Sequence, residues 1–200
     1  MKKLLVLLVV LLTASAIFAQ TKKGDFVLSG GTGLTSIFTS STPVYDGQSG
    51  DKTKGSSISF LPSFGYFVID NLAIGLTGNI AHNAYKYEDG DKDVMNSILI
   101  LPTAIYFFPI DGKIRPLAQI GVGIASQTYK YIPKSGSNEE SSSSGICFNI
   151  GGGISYFIKE NISFNLGLSY TRATLTDSDD NKYKEKQGNL GCNLGISVFL

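Results

Sequence analysis

The chain has 200 residues, of which 23 are glycine, none is tryptophan and only 16% are charged. Seventeen lysines and arginines against 16 acids leave a formal net charge of +1, so there is no basic field of the kind nucleic acid requires. The length suits one domain, and a charge density this low without a long apolar helix is unusual for a secreted soluble domain.

The first nineteen residues read as a secretory signal peptide. Lys2 and Lys3 form a positive start, Leu4 to Leu12 an apolar run, and small residues follow up to a cleavage position after Ala19. The run is too short to cross a bilayer as a helix, and no cysteine near the cleavage position offers a lipid anchor. Residues 20–200 are then the folded domain. Without Lys2 and Lys3 the bases fall to 15 against 16 acids, a formal charge of −1.

Eight strands are expected, at 25–38, 57–68, 72–84, 95–108, 114–127, 145–158, 162–174 and 188–200. Each shows the period-two alternation of a strand with unlike faces. Most exceed the usual soluble length of about 5–6 residues and match the roughly 9–11 needed to cross a bilayer at a tilt. The connections alternate: long polar ones at 39–56, 85–94, 128–144 and 175–187, short ones at 69–71, 109–113 and 159–161. Short turns at one end and long loops at the other is the arrangement of a transmembrane barrel, with both termini on the short-turn, periplasmic side. One hairpin recurs three times, over Phe60–Asn79, Ile100–Val122 and Gly151–Arg172, each with Tyr-Phe just before its turn. Pro62 and Pro102 stand mid-strand in two copies and call for a bulge or local irregularity.

Parity assigns the faces. Even positions carry large apolar side chains, among them Phe64, Leu76, Val122, Ile154 and Leu168. Odd positions carry Ser29, Ser63, Thr77, Gln119, Asn149, Ser155, Asn165 and most strand glycines. In a narrow eight-stranded barrel, whose interior is just filled by side chains, this puts the odd face in the lumen and the even face in lipid. A soluble barrel would reverse it. The fourth strand is the exception, since Leu99, Leu101, Ile105 and Phe107 make its odd face apolar as well.

Candidate functional residues follow from height and face. Tyr66, Tyr106, Tyr156 and Tyr170 lie on the lipid face near strand ends, where a ring with a polar tip suits the headgroup layer; ordinary strand propensity is the simpler account. Phe67, Phe107, Phe157 and Phe199 take the opposite parity and either converge as a lumenal plug or merely pack a narrow barrel end. Arg172, about 25 Å up the lipid face of the seventh strand, sits at the outer interface. Its guanidinium suits a lipopolysaccharide phosphate, or it snorkels into water. Arg115 and Asp25 share inward parity and are candidates for a lumenal ion pair. Cys147 points inward and Cys192 outward on strands that are not neighbours, which precludes a disulfide. His82 is the one histidine. With Cys147 and Cys192 it makes no metal set, and no cofactor is expected. The glycine runs at 30–33 and 151–153 lack the lysine and helix of a phosphate loop. Ser141 to Ser144 and the 176–187 segment read as solvated loop tips.

The signal peptide, the eight alternating strands, the GYFVIDNLAIGL and GGGISYFIKENISFNLGLSY hairpins and the apolar last strand ending Val198-Phe199-Leu200 resemble the outer-membrane β-barrel domain family. That family comprises opacity-type and small porin-like eight-stranded barrels of Gram-negative bacteria. The resemblance implies an all-β, antiparallel up-and-down transmembrane barrel in the outer membrane. Its implied partners are outer-membrane lipid, lipopolysaccharide and, during biogenesis, the barrel-insertion machinery. That machinery ordinarily reads a terminal phenylalanine; here Leu200 follows Phe199. Lipid A deacylases, small barrels of this kind, carry a nucleophilic serine two residues after a histidine, and Ala84 holds that position here. The leading expectation is a non-enzymatic barrel with a structural or surface-interaction role. A narrow channel for small or hydrophobic solutes is the alternative, and a soluble lipocalin-type barrel a third reading that the loop lengths disfavour.

Overall fold

Period-two alternation gives every strand one apolar and one small polar face, and unpaired edges are costly in lipid, so closing the sheet on itself is the arrangement that satisfies both. The computed structural model describes residues 21–33, 38–41, 44–45, 48–49, 53–87, 90–178 and 184–200. The expected signal peptide, the stretch 34–37 of the first expected strand, and parts of the loops 39–56, 85–94 and 175–187 lie outside the described residues.

Eight staves close the barrel: β1 (Phe26–Gly33), β5 (Thr53–Ile69), β6 (Leu72–Lys86), β7 (Lys92–Phe107), β8 (Ile114–Ile132), β9 (Glu139–Lys159), β10 (Ile162–Asp177) and β11 (Lys184–Phe199). Three short strands, β2 (Phe38–Ser41), β3 (Val44–Tyr45) and β4 (Gln48–Ser49), lie between β1 and β5. Each stave from β5 to β11 pairs antiparallel with its neighbours in the chain, and β1 closes the ring by pairing with both β11 and β5. β2 extends the sheet beside the upper part of β5, from Phe38↔Ser56 to Ser41↔Thr53.

Several staves run beyond their expected ends at the long-loop side. β9 starts at Glu139 rather than 145, β8 continues to Ile132 and β10 to Asp177. The serine run Ser141 to Ser144, expected as a loop tip, is strand, paired with Tyr129 to Ser126. Its polar composition reflects water on both faces above the bilayer, and ladder pairing holds it extended. Pro62 and Pro102 produce no bulge. The β5–β6 ladder is interrupted between Phe60 and Ser63, and the β7–β8 ladder between Ile100 and Thr103, with register unchanged across each gap. Gly78 faces the Pro62 ring, and a Cβ there would lie 3.1 Å from Pro62 Cγ.

Apart from glycines, the buried barrel residues are Val27, Phe67, Ala73, Leu101, Thr103, Phe107, Ala125, Cys147, Ser155, Phe157, Ser163, Ala173, Leu175, Ser197 and Phe199, all odd-numbered. On the even face Ile58, Val122, Ile124 and Leu168 are each more than half exposed. This is the distribution of a barrel whose outer wall meets lipid. From Leu72 to Ile80 on β6 the apolar wall is about 20 Å tall at roughly 3.3 Å per residue and a tilt near 40°.

Two inward glycines mark the closest strand approaches. A Cβ on Gly75 would fall 1.8 Å from the Phe64 carbonyl oxygen, and one on Gly145 would fall 1.9 Å from that of Thr174. Gly75→Ala therefore forces the backbone apart and is expected to cost about 1–3 kcal/mol. Gly30→Ala, whose Cβ meets only Phe60 Cε2 at 3.7 Å, changes stability by less than about 1 kcal/mol. Urea midpoints for both variants folded into phosphatidylcholine vesicles check the contrast; equal midpoints refute it.

Candidate functional site

Strand parity places the small polar side chains of all eight staves in one lumen, and its contents fall into layers. At the short-turn end Phe67, Phe107, Phe157 and Phe199 come together in one buried cluster with Val27 and Ala73. Phe199 is its hub, with ring centroids 5.2 Å from Phe157, 5.7 Å from Phe107 and 6.2 Å from Phe67. Ile105 and Leu117 pack against it. The Arg115 guanidinium lies over the Phe157 ring at 5.1 Å, a cation–π contact.

The segment before β1 folds beneath this layer, which the periodicity of the strands could not show. Thr21 is buried. Its hydroxyl accepts from Arg115 Nη1 at 3.0 Å and donates to Asn71 Oδ1 at 2.7 Å. Asn71 N–H donates to the Thr21 carbonyl at 2.7 Å, and Gly24 N–H to that of Phe67 at 2.9 Å. Asp25 Oδ2 accepts from the Lys22 N–H at 3.0 Å.

Above the rings a hydrogen-bonded network crosses the seam where the barrel closes. Asn165 Oδ1 accepts from the Ser155 hydroxyl at 2.7 Å and from that of Ser163 at 3.0 Å. Asn165 Nδ2 donates to Ser197 Oγ at 2.6 Å, and Ser197 Oγ meets Ser29 Oγ at 2.6 Å. One amide thus links β9, β10, β11 and β1. On the other side Gln119 Nε2 donates to Asn149 Oδ1 at 3.0 Å, and Asn149 Nδ2 to Thr171 Oγ1 at 2.8 Å.

A second apolar layer, Leu101, Ala125, Cys147, Ala173 and Leu175 with Leu99 against it, lies nearer the long loops. It accounts for the doubly apolar β7: Ile105 and Phe107 belong to the lower layer, Leu99 and Leu101 to the upper. Between and around the layers are cavities of about 110 Å³ and about 240 Å³, which share Leu61 and Asn193. Hydroxyls, amides and apolar groups line both, and no charged side chain does. A third, of about 340 Å³, adjoins the second through Gln127 and Gln187 and is lined also by Asp177 and Glu185.

The remaining candidates lie on the wall. Tyr66, Tyr106, Tyr156 and Tyr170 are all partly exposed on the outer face. Tyr66 packs on Phe26 at 5.1 Å and Tyr106 on Phe108 edge-on at 5.1 Å. Arg172 is exposed, in register with Phe148 on β9 and Gly188 on β11. His82 Nδ1 is 2.7 Å from Asn96 Oδ1 on the next stave. Cys147 and Cys192 are free. Cys147 is in register with Gly123 and Ala173, Cys192 with Leu168. Among the described residues no three His, Cys, Asp or Glu side chains group as metal ligands.

The sequence matches the outer membrane protein beta-barrel domain over residues 4–195. The chain belongs to the outer membrane protein beta-barrel domain family. It is an outer-membrane protein, with its exposed apolar, even-numbered wall in lipid. The barrel of a major outer membrane protein from Thermus thermophilus is similar, with a TM-score of 0.51 at 11% identity, covering 88% of this chain and 99% of that one. The attachment invasion locus protein Ail of Yersinia pestis gives a TM-score of 0.50 at 15% identity over 89% and 99%. Neisserial surface protein A gives 0.48 at 20% identity over 88% and 97%. At these identities the likeness is one of fold. No curated protein matches the sequence.

Proposed function

We propose that this outer-membrane barrel is a non-enzymatic structural and surface-interaction protein whose lumen is closed to ions at its periplasmic end. The observation that carries this reading is the four-phenylalanine layer. Phe67 and Phe199 are fully buried, Phe107 and Phe157 nearly so, and Arg115 and Thr21 cover the layer from below. Rings in van der Waals contact leave no path for hydrated ions. Activity then resides in the long loops, where barrels of this kind usually carry function. The alanine at position 84, where a nucleophile would stand, and the engagement of His82 by Asn96 support a non-catalytic role.

In the same reading Tyr66, Tyr106, Tyr156 and Tyr170 anchor the barrel at the two interfaces, and Arg172 meets a lipopolysaccharide phosphate. Residues 1–19 are removed on export, and the insertion machinery reads the last strand. The uncharged cavities of about 110 and 240 Å³ favour a second reading, a narrow channel for small or hydrophobic solutes. Planar-bilayer recordings decide. The wild-type barrel is expected to be silent and the Phe67→Ala/Phe157→Ala double variant to conduct. Conductance steps in the wild type would favour the channel, and a silent double variant would remove the plug.

A further inference from the structure

Above the apolar wall the outer face carries a cationic arrangement that neither the lumen nor Arg172 involves. Lys54 on β5 is the register partner of Lys86 on β6, and Lys86 is the register partner of Lys92 on β7. All three have the even parity of the lipid wall, and all three are exposed. Three ammonium groups thus stand in one row across three consecutive staves spaced about 4.8 Å apart. Like charges directly opposite one another destabilise a sheet. Among the described residues no carboxylate lies within ion-pair distance of any of the three, whereas Lys130 on the next stave reaches Glu140 at 3.8 Å.

Among the described residues, the acids beside Lys92 in the chain are turned the other way. Asp91 and Asp93 flank Lys92 in the chain but have inward parity. Asp93 Oδ2 accepts from the Tyr87 hydroxyl at 2.6 Å. Asp91 accepts from the Tyr131 hydroxyl and, at 2.9 Å, from the Lys134 N–H. Those hydrogen bonds, the one from Tyr131 foremost, hold the Asp91 carboxyl below its ordinary value. Around Lys92 the charge is therefore separated, with the Asp91 and Asp93 carboxylates on the inner side and the ammonium groups of the row on the outer.

Height narrows the partner. The row stands four residues beyond Ile58 on β5 and six beyond Ile80 on β6 and Ile98 on β7, all exposed apolar side chains. At about 3.3 Å per residue and a tilt near 40° it lies roughly 10–15 Å above the apolar edge. That is the layer of lipid headgroups, above the acyl chains, and the outward parity aims the lysines sideways into it, away from the barrel mouth. We propose that Lys54, Lys86 and Lys92 form a binding site for the multiply phosphorylated headgroup of an outer-leaflet glycolipid. The site rests on the outer-membrane placement and is independent of the closed lumen and of Arg172, whose stave β10 lies diametrically across the barrel from β6.

The test is titration of the purified barrel, folded in neutral-detergent micelles, with bisphosphorylated lipid A. A lysine near an anionic surface contributes about fivefold in affinity. The Lys54→Ser/Lys86→Ser/Lys92→Ser variant is therefore expected to bind at least about tenfold more weakly, with heat-modifiable gel migration reporting that it folds. The triple lysine-to-arginine variant and the periplasmic-end Lys113→Ser/Lys159→Ser variant are expected to bind as wild type does. Undiminished binding by the folded triple serine variant overturns the proposal, as does equal affinity for the dephosphorylated glycolipid. Displacement of lipid A by an equal concentration of inositol hexakisphosphate would assign the row to soluble polyanions instead. Loss of binding on Arg172→Ser, with none on substitution of the row, would keep the Arg172 contact and overturn this one.

Discussion

Phe199→Ala is expected to lower the stability of the barrel by about 3–5 kcal/mol, the cost of truncating a fully buried aromatic that leaves a cavity. Phe199 touches three other rings at centroid distances of 5.2 to 6.2 Å, so its removal uncouples Phe67, Phe107 and Phe157 from their common neighbour. The backbone here is held independently of the ring. Phe199 N–H donates to the Asn161 carbonyl at 2.9 Å, and Leu200 exchanges two hydrogen bonds with Phe26 at 2.8 Å. The loss therefore measures packing and not a frayed terminus. Urea unfolding in phosphatidylcholine vesicles, followed by circular dichroism because the chain has no tryptophan, gives the number. Refolding from urea bypasses the insertion machinery, so a role of the last strand in biogenesis does not enter. A change under about 1 kcal/mol would mean that the rings do not pack as a unit.

Asn165→Leu, nearly the same shape without the amide, should cost about 2–4 kcal/mol. Asn165 holds hydrogen bonds with Ser155, Ser163 and Ser197, and all three serines are buried. Each buried hydroxyl that loses its partner carries a desolvation penalty of about 1–3 kcal/mol. Some of it is recovered as hydroxyls rotate toward each other or toward lumenal water. Because the network spans the β11–β1 seam through Ser197 and Ser29, the effect should also appear as faster unfolding. In a double-mutant cycle with Ser155→Ala the penalties should not add, and a coupling of about 0.5–3 kcal/mol is expected. Strict additivity would show that the bond between Asn165 and Ser155 contributes nothing in the folded barrel.

How much of this is legible in the residues depends on the distance over which each feature is decided. Tyr66 and Phe67 fall on opposite faces, as parity requires, because adjacent strand residues must point opposite ways. Cys147 and Cys192, on strands that do not pair with each other, are free, as their places in the chain require. The serine run 141–144 reads as a loop and is a strand, because hydrophilic composition signals water, not the absence of strand, and these residues pair with Ser126 to Tyr129 above the bilayer. The prolines do mark an irregularity, yet their effect is a gap in the ladder, with room made for the Pro62 ring at Gly78. Leu99 and Leu101 look anomalous in the sequence because nothing local says that the lumen has a second apolar layer. Asn165 is one polar residue among many there, and its partners on the two neighbouring staves are not visible.

Length, the alternation of short and long connections, and period-two patterning were enough to establish an eight-stranded barrel and the face of nearly every side chain. These are local properties, each set by a residue and its immediate neighbours along one strand. Which residues stand at the same height was decided only in the closed structure. The meeting of Phe199 with Phe67, Phe107 and Phe157, the seam network through Asn165, the burial of Thr21 beneath Arg115, and the row of Lys54, Lys86 and Lys92 all depend on register between strands. Register accumulates around the barrel as shear, and a shift of even one residue on one strand exchanges its inner and outer faces, so height and neighbour belong to the pairing of strands and cannot be read from any strand alone.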